Sequence, residues 1–226
     1  MNERALKKEI VRLLKNGELD AVLAMRESCS AKRMLNLLIG CFCNDHELVR
    51  WLAVTGVGNL VVALADNEME DGRVVMRRFM WMLNDESGGI GWGAPEAMGE
   101  VMACHRRLAE EYGHMLVANM REDGNFLELE MLQRGLMWGI GRLAEVRPEL
   151  LREKNAVRYL LPYLDSGDPT VRGLACRALG NLKAVEAKGR LSGLTGDEKQ
   201  ISVYADRSLE QYSVGHLAAR ALERIG

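Results

Sequence analysis

Three segments of the chain repeat one another, and this repetition constrains the fold more than any other feature. The stretch "DHELVRWLAVTGVGNL" (45–60) matches "DPTVRGLACRALGNL" (168–182). In both, Val-Arg follows an Asp, an Ala stands three residues after the Arg, and Gly-Asn-Leu closes the segment. Val49, Arg50, Ala53, Gly58, Asn59 and Leu60 fall in register with Val171, Arg172, Ala175, Gly180, Asn181 and Leu182. The C-terminal "VGHLAARALERIG" (214–226) matches again through Val214, Leu217, Ala218, Arg220, Ala221 and Leu222. A chain that repeats in this way is built from units that bury their apolar faces on their neighbours.

The pattern inside each unit has a physical meaning. The Asp closes the preceding turn and can cap a helix start. Apolar residues then recur every three or four positions and give one buried stripe. Small Ala and Gly positions let neighbouring helices come close. The spacing predicts N-terminal capping helices within 1–30, at about 3–16 (striped by Leu6, Ile10, Leu13 and Leu14) and 18–28. Helix pairs follow at 31–43 with 46–62, 72–83 with 95–106, 108–121 with 126–145 and 149–164 with 169–183. A last helix covers 214–225, and residues 1–226 read as a single domain. Only "ISVYADRSLEQYSV" (201–214) departs from helical composition. Its two alternating runs around a turn-like "ADRS" predict a β-hairpin, with Ser213 capping the helix that follows.

These motifs resemble the HEAT repeats, particularly the bacterial type first named from phycobilisome lyases. The resemblance covers most of the chain after about residue 30. It implies an all-α fold, an α-α superhelical solenoid with a short inserted hairpin. It carries little about function, because one fold hosts many activities.

Composition narrows the classes of function. With 226 residues, 48% of them hydrophobic, the chain can bury a substantial core. A net charge of −2 lacks the basic excess from which nucleic-acid affinity mainly comes, so nucleic acid is not an expected partner. The sequence has no uninterrupted apolar run of the kind that spans a membrane, and its N-terminus lacks the pattern of a signal peptide. A cytoplasmic protein with no membrane contact is expected. The five cysteines, Cys29, Cys41, Cys43, Cys104 and Cys176, sit mostly in apolar helical runs and complete no zinc pattern. No cofactor and no metal are expected.

Enzymes built on similar repeats can be tested residue by residue. Deoxyhypusine hydroxylase holds iron through repeated His-Glu pairs, but this chain has one, His46-Glu47. His105, His114 and His216 complete no ligand spacing with it. HEAT-like alkylpurine DNA glycosylases use a basic face with aromatic residues. Of the four tryptophans here, Trp51, Trp81 and Trp138 lie in apolar runs and read as core. The thioether chemistry of phycobilisome lyases has no evident counterpart among the cysteines. Cys104 and His105 are adjacent, which points them about 100° apart on a helix.

One stretch breaks the repeat: "LNDESGGIGWGAPEAMGE" (83–100). Gly88, Gly89, Gly91 and Gly93 surround Trp92 where the other repeats carry Val-Arg, and the second helix starts late, at Pro95. Proline suits a first helical position, where its missing N–H costs nothing. One reading is a turn in which glycine supplies positive φ and Trp92 fills space. The other is a binding site at the mouth of a helix, with Trp92 as an apolar anchor. The stretch holds Asp85, Glu86, Glu96 and Glu100 and no cation, so a basic peptide, an amine or a hard cation suits it better than phosphate. It also lacks the Gly-Lys-Ser/Thr ending of a phosphate loop.

The sequence therefore predicts a non-enzymatic scaffold or adaptor that binds another protein. Its site would be Asp85, Glu86, Trp92, Glu96 and Glu100. The alternative is an enzyme or accessory factor that holds a small ligand or metal at the same acidic loop.

Overall fold

The computed structural model describes residues 2–84 and 90–226. The chain opens with α1 (Glu3–Lys15) and the short α2 (Leu19–Ala24). Helix pairs follow: α3 (Ala31–Ile39) with α4 (Glu47–Asn67), α5 (Met69–Leu83) with α6 (Ala94–Cys104), and α7 (Arg106–Ala118) with α8 (Glu130–Val146). The next unit has α9 (Pro148–Glu153) and α10 (Ala156–Leu160) before α11 (Pro169–Asn181). Then come α12 (Lys188–Leu194), a hairpin of β1 (Gln200–Ala205) and β2 (Ser208–Ser213), and α13 (Val214–Ile225). The fold is thus helical with one two-stranded sheet. Several boundaries differ from the periodicity, with α3 ending at Ile39 and α8 beginning only at Glu130. Helix α4 runs on to Asn67, and the helix expected over 149–164 is interrupted by Asn155 in the left-handed region at φ 57°.

The second helices α4, α6, α8, α11 and α13 pack on one another in that order, forming a continuous row. Behind them α3 backs α4, α5 backs α4 and α6, α7 backs α6, α9 backs α8, and α12 backs α13. Helices α1 and α2 close the N-terminal end against α4. The small positions of the repeat set the spacing of the row. At the α6–α8 crossing, a Cβ on Gly99 would stand 2.3 Å from the Gly139 Cα, so only glycine fits there.

The repeated Arg shares a job in both units, although Arg172 also pairs with Asp197 at 2.7 Å. Arg50 Nη1 donates to the carbonyls of Asn44 (2.8 Å) and Asp45 (3.3 Å). Arg172 Nη1 donates to those of Ser166 (2.6 Å) and Gly167 (3.0 Å). Each therefore satisfies the turn that leads into its own helix, where backbone carbonyls lack helical partners. Asp168 caps α11, accepting from the Thr170 and Val171 amides at 2.7 and 3.1 Å. In the first unit the cap position belongs to His46, whose side chain makes no capping bond. There Asn44 accepts from the His46 amide instead, so Asp45 is not the cap.

By length and composition α4 could cross a bilayer, although Arg50, Thr55 and Asn59 interrupt its apolar run. More than half of its most apolar stretch is buried in the stack, as suits a helix covered by α1, α2, α3, α5 and α6. Trp138 is core, as its surroundings predicted, and Trp51 packs against the core half-buried. Trp81 is not core: it is 68% exposed. It lies two residues past Phe79, about 200° around α5 from the buried stripe of Val75, Met76 and Phe79.

The hairpin forms as its composition predicted. Asp206 and Arg207 both have positive φ (48° and 62°), the two-residue turn whose twist matches paired strands. Ser213 then caps α13, accepting from the His216 amide at 3.0 Å. The hairpin reaches back to the first unit. Tyr204 stacks on Trp51 with ring centroids 5.1 Å apart and planes at 7°. The Tyr204 hydroxyl lies 2.8 Å from Thr55 Oγ1, and the Trp138 indole N–H donates to the Tyr204 carbonyl at 2.9 Å. At the tip, Arg207 pairs with Asp20 at 2.9 Å.

Candidate functional site

Two cavities open on the row of second helices. One, of about 210 Å³, is lined by Trp92 and Glu96 together with Arg50, Trp51, Met131, Arg134 and Ser202 among others. The other, of about 640 Å³, is bounded by α4, α6, α8, α11, α13 and the hairpin. Trp138 lines both. Its cluster with Trp51, at 4.8 Å between ring centroids, and Tyr204, at 6.1 Å, stands where they meet.

The segment leading into α6 shows what two of its glycines do. Gly93 caps the helix at φ 71°, and a Cβ there would meet the Phe42 ring at 2.5 Å. A Cβ on Gly91 would stand 2.7 Å from the Met82 carbonyl oxygen. These glycines are demanded by the turn itself, with no ligand needed to explain them. Helix α6 begins at Ala94, so Pro95 is its second residue rather than its first. Gly88 and Gly89 lie outside the described residues, as do the predicted site residues Asp85 and Glu86.

Trp92 and Glu96 are brought together at the smaller cavity. Gly135 of α8 makes room for the Glu96 carboxyl, which a Cβ at that position would meet at 2.4 Å. Glu96 as a residue is partly exposed, but its Oε2 is buried and makes no hydrogen bond among the described residues. Burial pushes its carboxyl up to about 7, against the lowering effects of its own backbone amide and of Arg50. Ser202 Oγ, from β1, is also buried and unpaired there. The two cations at this cavity are engaged elsewhere. Arg134 is bound to Asp168, Nε to Oδ2 at 2.7 Å, and Arg50 holds the turn carbonyls.

Glu100, one turn further along α6, faces the larger cavity. It accepts from Arg142 Nε at 2.8 Å and from the Cys104 thiol at 3.4 Å. Burial, then the Glu100 carboxylate, pushes the Cys104 thiol up to about 12. The expected run of unopposed acid is therefore divided. Glu100 is neutralised by an arginine 42 positions away in sequence, and Glu96 sits apart from it. Among the described residues, no group of three or more His, Cys, Asp or Glu converges to hold a metal.

Arg50, Trp51, Arg134 and Ser202 were not among the predicted site residues. The repeat signature marks Arg50 and Trp51 as elements of a unit, and nothing local marks Ser202. The packing of α4 and α8 on α6 brings Arg50, Trp51 and Arg134 to Glu96, and the hairpin brings Ser202.

Comparison with known proteins bears on the fold. A family model described as HEAT-like repeat matches residues 130–182. No curated protein sequence matches the chain. Among solved structures, an engineered protein matches with a TM-score of 0.55 at 18% identity, over 100% of this chain and 97% of its own. Computationally designed armadillo repeat proteins for modular peptide recognition match with 0.52 at 18% identity, over 96% and 99%. A designed armadillo repeat protein in complex with the peptide (KR)4 matches with 0.55 at 17% identity, over 99% and 91%.

Proposed function

Since the chain is a HEAT-like repeat solenoid, we propose that it is a protein-binding scaffold whose row of second helices receives a segment of its partner. The smaller cavity takes one side chain of that segment, basic or otherwise rich in hydrogen-bond donors. The observation that carries this reading is the Glu96 carboxyl, with its Oε2 buried and without a hydrogen-bond partner among the described residues, beside Trp92, Trp51 and Met131. A buried acceptor without a partner is costly, and a donated hydrogen bond from a ligand removes that cost. The aromatic and methionine walls would pack on the aliphatic stem of a lysine or arginine. The designed armadillo protein bound to (KR)4 supports the class of partner, because it shows a related fold taking a basic peptide.

The test is an affinity titration with a fluorescent Lys-Arg repeat peptide and a Glu-rich peptide of equal length. Wild type should bind the basic peptide more tightly. Glu96→Gln and Trp92→Ala should each weaken it by roughly tenfold, in the range of interface anchors. Equal affinity for both peptides, or variants that bind like wild type, would reject the reading. Recovery of a tightly held small molecule from the native protein, lost with Glu96→Gln, would favour the ligand-binding alternative.

A further inference from the structure

The larger cavity has the opposite chemistry. Arg142 from α8, Arg177 from α11, and Arg220 and Arg224 from α13 all line it. Arg142 is committed to Glu100. Arg220 lies over the neutral Tyr212 ring at 5.9 Å, and Arg224 donates to the amide oxygen of Asn181. Arg177 is the deepest of the group with a free donor. Its side chain is only 15% exposed, and its Nη1 is buried with no hydrogen bond among the described residues. Nη2 reaches the carboxylate of Glu145 at 3.3 Å, a side chain that is 47% exposed and shared with Arg142. Asp206 and Glu210 line the hairpin side, where Glu210 accepts from the Tyr212 hydroxyl.

We infer that this cavity is an oxyanion site, built to take a carboxylate or phosphate group on Arg177 with Arg220 and Arg224 beside it. The planar fork of a guanidinium matches both oxyanions, and a buried N–H of a charged group without an acceptor is costly. Burial, and then crowding by Arg224 and Arg142, already holds the Arg177 guanidinium below its ordinary range, despite Glu145. A bound anion would relieve both effects. With about 640 Å³, the cavity has room for a small anionic molecule as well as for one group of it. This inference is independent of the basic-side-chain site, with which the cavity shares only Trp138.

The test is calorimetric titration of the full chain with inorganic phosphate and with glutarate. Chloride at matched ionic strength is the control. Saturable binding of phosphate, of glutarate, or of both is expected, and the stronger arm identifies the oxyanion. Arg177→Met should weaken it by at least about tenfold and Arg220→Gln by about threefold. Arg106→Gln, an exposed arginine of α7 paired with Glu110, should leave it unchanged. Non-saturating heats, an equal response to chloride, or unchanged affinity in Arg177→Met would overturn the inference. Should Arg177→Met fail to fold, Arg220→Gln decides, and wild-type affinity in that variant overturns it.

Discussion

Glu96 and Glu100 stand one turn apart on α6, and the fold gives them opposite surroundings. Glu100 turns to the larger cavity and meets the Arg142 guanidinium at 2.8 Å, with the Cys104 thiol as a further donor. Glu96 turns to the smaller cavity and leaves Oε2 buried without a donor among the described residues. Among the described residues, one cavity holds an unpaired acceptor and the other an unpaired donor on Arg177. The contrast teaches that residue type alone does not set the character of a site. The neighbours that satisfy or fail to satisfy each group do so, and most of them come from other repeats.

The hairpin holds the two regions apart, so removing its anchor has the largest predicted effect. Tyr204→Ala deletes the stack on Trp51 and the bond to Thr55, and should cost about 4 kcal/mol in urea unfolding. A loss under about 1 kcal/mol would mean that the hairpin is not a structural tie.

Glu96→Gln comes next and should stabilise the protein. The folded carboxyl titrates at about 7 and the unfolded one at its ordinary 4.5. Below 4.5 both states are protonated and no difference arises. As pH rises from 4.5 to 7 the unfolded state loses its proton first, so wild-type stability falls by about 1.4 kcal/mol per unit. Above 7 the deficit levels off at roughly 3 kcal/mol. The variant's gain over wild type should therefore grow across this window and hold above it, read as unfolding midpoints against pH. A gain independent of pH would show that the carboxyl is not held protonated.

Glu100→Gln should do the reverse. It leaves Arg142, 28% exposed, with a weaker acceptor, and should cost about 2 kcal/mol at neutral pH. The same substitution four residues apart should thus change sign, and equal signs would collapse the comparison. The smallest effect is chemical: Cys43 and Cys104 are both exposed, yet at pH 8 Cys104, beside the Glu100 carboxylate, should alkylate roughly tenfold or more slowly than Cys43, measured by peptide mass spectrometry. Similar rates would mean that Glu100 does not suppress the thiolate.

Much of this architecture was legible along the chain. Val-Arg and Gly-Asn-Leu predicted the units because helix periodicity and close helix crossings are local or near-local demands on residue type. The hairpin and its Ser213 cap were legible for the same reason, since turn geometry and capping act within a few residues. Trp81 shows the limit of that logic, for an apolar run alone does not say which side of a helix is covered. The candidate site lay further beyond local reading. Trp92 and Glu96 were visible as a break in the repeat, but Arg50, Arg134 and Ser202 belong to three other elements.

By itself, the sequence determined the repeat and its helices, because these follow from the backbone and its nearest neighbours, whereas the need for glycine at Gly99 comes from Gly139 of another helix. The tertiary structure alone decided that Glu100 is paired and Glu96 is not, and that a hairpin tyrosine near the C-terminus meets α4. Charge and hydrogen bonding are settled by whatever stands within a few ångströms in space. In a stacked repeat those neighbours come from the next unit or from a returning strap, tens of residues to well over a hundred away along the chain.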